Sequence, residues 1–93
     1  MMAEVTIELP SVLAPVVNGE RSFTVDAETL PGAFAALFKL QPGLKVHLFD
    51  ETESFREHVL CFHNQTNTRW MESLDVPLQD GDTITILQAV SGG

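Results

Sequence analysis

Leu78-Gln79-Asp80-Gly81-Asp82-Thr83-Ile84-Thr85-Ile86-Leu87-Gln88 is the stretch that decides the fold. Asp80-Gly81-Asp82 has the residues a tight reversal demands, so these two carboxylates read as turn formers before they read as an acid/base pair. Thr83 to Gln88 then alternates, with Ile84 and Ile86 on one face and Thr85 and Leu87 on the other, which predicts a strand. The chain ends straight off that strand with Ala89-Val90-Ser91-Gly92-Gly93.

Two more alternating stretches lie at the start of the chain. Glu4 to Leu9 puts Val5, Ile7 and Leu9 on one face and stops at Pro10. Ser22 to Asp26 alternates through Phe23 and Val25. The segment between them, Ser11 to Arg21, contains Pro15 and Asn18-Gly19, turn chemistry that joins the strands as a hairpin. The period then changes from 2 to about 3.6. Thr29 is placed as an N-cap, Pro31 fits the first turn, and Leu30, Ala33, Phe34, Leu37 and Leu40 share one face of a helix over 30–40. Pro42-Gly43 ends it. From Leu44 to Glu57 the pattern predicts a short helical turn and then a solvated loop at Asp50-Glu51-Thr52-Glu53-Ser54. His58 to His63 is a third internal strand, apolar on both sides. Asn64-Gln65-Thr66-Asn67 reads as a turn, and Thr68 to Met71 as a short strand. Hairpin, helix and later strands pack as an α+β layout, one mixed sheet with a helix across one face.

The 93 residues allow one domain, expected at 1–88 with 89–93 as a flexible C-terminal tail. Thirteen Asp and Glu against five Lys and Arg give a net charge of -8, which argues against nucleic acid and anionic membranes and for basic protein partners. Glu72, Asp75, Asp80 and Asp82 lie close to the tail in sequence and are expected to steer such a partner. A single cysteine, Cys61, forms no internal disulfide, in keeping with a reducing compartment. Met1-Met2-Ala3-Glu4 lacks the basic end and apolar stretch of a signal peptide, and no apolar run spans a bilayer, so a cytoplasmic location is expected.

Terminal Gly-Gly arises by chance in about one chain in 200, so a frayed end or a cloning remnant competes with a functional reading. The functional reading is specific. Glycines accept almost any φ/ψ, and a carboxylate carried on them can be threaded through a narrow channel into another protein's active site. Cys61 has no feature that lowers its pKa, which favours a small buried hydrophobe over a nucleophile. His47, His58 and His63 show no recurring ligand spacing, so no metal site is expected. Leu60, Phe62 and Leu87 would line the sheet face away from the helix, an apolar patch beside the tail rimmed by acidic residues, suited to docking a protein.

Leu9-Pro10 before a long first turn, Thr29-Leu30 opening the helix, Pro42-Gly43-Leu44 closing it, and Asp80-Gly81-Asp82 followed by a strand, Ala89-Val90 and Gly92-Gly93 together resemble the ubiquitin-like sulfur carriers of the MoaD/ThiS family. The likeness covers nearly the whole chain, and Leu9 to Leu30 is most similar to the cysteine-biosynthesis branch. His63 and Thr68 stand where relatives usually carry aliphatic residues, and Gln88 stands where Pro is usual. The resemblance implies a β-grasp fold and a carrier, not an enzyme. A MoeB/ThiF-like adenylyltransferase would use ATP and Mg²⁺ to adenylate the Gly93 carboxylate, which then becomes a thiocarboxylate and donates sulfur to a biosynthetic enzyme for cysteine, molybdopterin, thiamin or a secondary metabolite. Gly92 would supply tail flexibility, and Ala89, Val90 and Ser91 would join Leu60, Phe62 and Leu87 in contacting the partner. The chain itself would bind no cofactor or metal. A protein modifier conjugated through Gly93 to lysines, the small subunit of molybdopterin synthase, and a plain interaction domain remain alternatives.

Overall fold

A computed structural model describes residues 2–52, 55–68 and 75–88. Strand β1 (Ala3–Glu8) pairs antiparallel with β2 (Ser22–Ala27), with Val5 opposite Val25 and Ile7 opposite Phe23. Helix α1 (Leu30–Leu40) follows, then a 3-10 turn (Pro42–Leu44), a four-residue helix α2 (Lys45–Leu48), β3 (Val59–His63), β4 (Thr66–Asn67) and β5 (Thr83–Gln88). The five strands form one mixed sheet in the order β2-β1-β5-β3-β4. Strand β5 is central, parallel to β1 on one side and antiparallel to β3 on the other. With α1 packed across one face, this is the β-grasp arrangement.

Alternation decides which face is core. Ala3, Val5, Ile7, Phe23, Val25, Ala27, Val59, Cys61, Ile84 and Ile86 point inward and meet Leu30, Ala33, Phe34 and Leu37 of α1. Each fully buried Leu or Ile contributes on the order of 2 kcal/mol by leaving water. Helix α1 starts and stops where the sequence indicates: the Thr29 hydroxyl accepts from the Gly32 N–H at 3.4 Å, and Pro31 occupies the first turn. Leu40 departs from expectation, being 55% exposed. The inner stripe ends at Leu37, and the last turn of the helix runs past the core. Phe34, Phe38, Phe49 and Phe55 then form a tilted and edge-to-face cluster, with Phe49 and Phe55 centroids 5.0 Å apart at 88°, a favoured ring geometry.

Two connections differ from the sequence expectation. Between β1 and β2 the chain forms a 3-10 helix (Ser11–Val17) with Pro15 inside it, because Leu13 and Val17, four residues apart, both find the core. Asn18 and Gly19 close it with φ of 56° and 83°, as their turn chemistry allows. After β3 the turn is only Asn64-Gln65, Asn64 having φ of 56°. Thr66 and Asn67, expected in the turn, instead pair with His63 and Phe62 as β4. The short strand expected from Thr68 is not formed at Thr68, and the rest of that stretch lies outside the described residues.

Candidate functional site

Residue 89 follows the central strand of the sheet. β5 is paired on both sides, and Gln88 is the register partner of Val59. A proline at 88 would have no N–H to add to this ladder, whereas Gln88 extends the pairing to the last strand residue. Ala89, Val90, Ser91, Gly92 and Gly93, expected to contact the partner and carry the chemistry, lie outside the described residues.

The open sheet face brings together the three apolar residues that the alternation singles out. Leu60 lies directly opposite Leu87, and Phe62 lies opposite Thr85, so all sit on the face away from α1. Leu87 is 45% exposed, and Leu60 and Phe62 are half-buried. Beside Leu60 and Leu87 runs an open groove of about 670 Å³, walled by Glu8, Leu9, Pro10 and Arg21. Glu8 and Arg21 are not legible as neighbours of this patch from composition or period. Only the β1–β2 register and the parallel β1–β5 pairing bring them there.

Of the four carboxylates expected to steer partners toward the tail, Glu72 lies outside the described residues, Asp75 is exposed, and Asp80 and Asp82 sit at the opposite end of β5 from Gln88. Six strand residues separate the two ends, about 20 Å. Both carboxylates are also occupied. Asp80 Oδ1 accepts from the Glu4 N–H at 2.8 Å. Asp82 Oδ2 accepts from His63 Nε2 at 2.7 Å and from the Gln79 N–H at 2.9 Å, and Oδ1 accepts from Asn64 Nδ2 at 3.2 Å. Gly81 turns the chain with φ of 89°, and the Asp82 N–H donates to the Gln79 carbonyl at 3.0 Å. The Asp82 carboxyl is held below the ordinary carboxylate range, first by the His63 hydrogen bond and then, against the opposing effect of burial, by Gln79 and Asn64. This end of the sheet is a structural clamp. His63, out of place for an aliphatic position, has a partner that explains it.

Cys61 behaves as a core residue. It is 2% exposed, and burial pushes its thiol up to about 12, partly offset by a hydrogen bond with the buried Thr68 side chain. A protonated, enclosed thiol at neutral pH is a poor nucleophile. The same pair explains Thr68, whose hydroxyl would otherwise be unsatisfied at an inward position. His47 and His58 are exposed. Among the described residues, no three His, Cys, Asp or Glu gather to hold a metal ion, and no helix is long and apolar enough to cross a membrane.

With this geometry in place, the family model for the ThiS family matches residues 8–93, nearly the whole chain. The chain belongs to the ThiS family. Among the most similar relatives of this ThiS-family chain is the sulfur carrier protein CysO of Mycobacterium tuberculosis, 31% identical over 91 residues, covering 96% of this chain and 98% of that protein. The structure also resembles a chain in the crystal structure of the Amycolatopsis orientalis BexX/CysO complex. That match has TM-score 0.83 and 30% identity, and covers 96% of this chain and 99% of the other. The small archaeal modifier protein 1 from Methanosarcina acetivorans is similar as well, with TM-score 0.81 and 30% identity over 100% of this chain and 99% of its own.

Proposed function

We propose that this ThiS-family chain is a sulfur carrier that works through the carboxylate of Gly93. The family match running through to residue 93, beyond a strand paired on both sides, is the observation that carries the reading. The carboxylate is unreactive at neutral pH. Attack of its oxygen on the α-phosphorus of ATP, with Mg²⁺ on the partner enzyme, yields an acyl-adenylate and releases pyrophosphate. Sulfide sulfur then attacks the acyl carbon, and AMP leaves; where a persulfide attacks instead, the acyl disulfide first formed is cleaved by a second thiol on the partner, which leaves as a disulfide with the persulfide's inner sulfur. The resulting thiocarboxylate is a soft nucleophile at the tip of a glycine tail. The catalytic groups belong to partners: a MoeB/ThiF-like adenylyltransferase and a sulfur-accepting biosynthetic enzyme. The similarity to a CysO seen in complex with BexX supports a carrier that docks onto a partner protein. The face that Leu60, Phe62 and Leu87 present beside the tail is the surface for it, with Ala89, Val90 and Ser91 following the partner's channel and Gly92 giving the last bond its freedom.

The similarity to a small archaeal modifier protein favours one second reading, conjugation of Gly93 to lysines of target proteins. Both uses begin with the same adenylate. They separate by mass after incubation with the activating enzyme, ATP, Mg²⁺ and sulfide: a thiocarboxylate for the carrier, an isopeptide-linked ladder for the modifier.

A further inference from the structure

We propose that the groove beside Leu60 and Leu87 seats a partner segment that offers a carboxylate to Arg21 next to an apolar side chain. The inference deepens the docking reading of the open sheet face and rests on it. Leu9, Pro10, Leu60 and Leu87 make the groove's apolar walls, and among the described residues Arg21 is the one Lys or Arg that lines it. Arg21 is exposed. Among the described residues its guanidinium has no salt bridge, even though Glu8 lines the same groove and Glu8 is the register partner of the adjacent Ser22. Elsewhere the open face is acidic: Glu4 and Asp26 lie directly opposite each other on β1 and β2, an unfavourable like-charge pair that persists because both are solvated.

Charge complementarity decides the occupant. On a chain of net charge -8 a single cation between leucines, with Glu8 the one acidic residue among the described residues lining the same groove, is not a steering charge; it is a local recognition point. A guanidinium offers a planar fork of donors that fits a carboxylate with two parallel hydrogen bonds, and apolar neighbours strengthen the pair by excluding water. The partner element is therefore acidic at one position and apolar at the adjacent one. A basic residue at the position facing Arg21 would meet it unfavourably.

The test is an amide-resonance titration of the full, isotope-labelled chain with two N-acetylated, C-amidated tripeptides, leucine-aspartate-leucine and leucine-lysine-leucine. The aspartate peptide is expected to shift Arg21, Ser22, Leu60 and Leu87 and to bind about three-fold more tightly than the lysine peptide, the size of a partly exposed ion pair. Arg21→Gln should erase that preference, and Arg21→Glu should reverse it, with both variants keeping the wild-type spectrum elsewhere because Arg21 is exposed. Equal affinity for the two peptides, shifts outside the groove, or a preference that survives Arg21→Glu would overturn the proposal. If Arg21→Gln moves the Gly92 and Gly93 resonances in peptide-free protein, the chain's own tail holds the groove and the partner assignment is wrong. None of these readouts depends on adenylation, so failure of the Gly93 chemistry and failure of this proposal are separable.

Discussion

Asp82→Ala should cost this domain about 2 kcal/mol, and the cost should shrink in acid. The side chain accepts three hydrogen bonds, from His63, Gln79 and Asn64. The His63–Asp82 pair is only 14% exposed on each side. A hydrogen bond to a charged group is worth roughly 1.5–3 kcal/mol when protected, and the two weaker ones add a few tenths each once water replaces the carboxylate. Partial exposure lets water re-satisfy the orphaned donors, which brings the total to about 2 kcal/mol. For a domain of this length that corresponds to a fall in melting temperature of about 10 °C. The sign of the pH dependence follows from the shift. The Asp82 carboxyl is depressed in the folded chain relative to its ordinary value of 3.8. Its contribution is thus complete above that value and is lost as pH falls through the lower folded value. Thermal melts of wild type and Asp82→Ala at neutral pH and at about pH 3 and below should show a gap that narrows in acid. Asp82→Asn, which keeps the shape and loses the charge, should fall between them. Unchanged melting at neutral pH, or a gap that persists undiminished in acid, would refute the clamp. Because the clamp lies a strand's length from Gln88, sulfur loading of folded Asp82→Ala should match wild type.

Leu87→Glu should keep the fold, since Leu87 is 45% exposed, yet weaken docking to the activating enzyme by about 2 kcal/mol if Leu87 is a central anchor; circular dichroism and a titration on one sample check both. Cys61→Ser should remain competent in sulfur transfer, measured by intact mass, while losing about 1–2 kcal/mol from a hydroxyl placed at a buried position; a folded variant that loses all transfer would put the sulfur on the thiol. Gly81→Ala should destabilise by about 1 kcal/mol, seen in a denaturant melt, through its φ of 89° alone, as an added Cβ meets nothing within 4 Å.

Helix α1 was legible to the residue because its signals are local: a hydroxyl cap at Thr29, a proline in the first turn, Pro42-Gly43 after the end. β5 was equally clear, since Ile84 and Ile86 alternate with Thr83, Thr85 and Leu87, and a one-residue slip would expose both isoleucines. The connections were harder. Leu13 and Val17 convert a turn-rich segment into a 3-10 helix only because a core exists to receive them. β4 has two residues, too few for any period, and depends on Asn64 adopting a positive φ and on the partners Phe62 and His63. The same limit applies to the site. Leu60, Phe62 and Leu87 follow from alternation within single strands. Arg21 beside the groove, and Asp80 and Asp82 at the far end of β5, depend on how strands pair, which periodicity does not encode.

The most direct test of the carrier reading is the mass of the intact chain. Wild type, a chain extended by one residue past Gly93, and a chain lacking Gly93 are each incubated with the activating enzyme, ATP, Mg²⁺ and sulfide. Extension places a side chain at a position that fits none, and deletion leaves the carboxylate about 3.3–3.6 Å short in an extended tail, an error large enough to abolish a displacement reaction. Neither change touches the described core, so all three should melt alike. Wild type should gain the mass difference between sulfur and oxygen, and the two variants should gain nothing. A shortened or lengthened chain that loads sulfur as fast as wild type would contradict the role of Gly92 and Gly93.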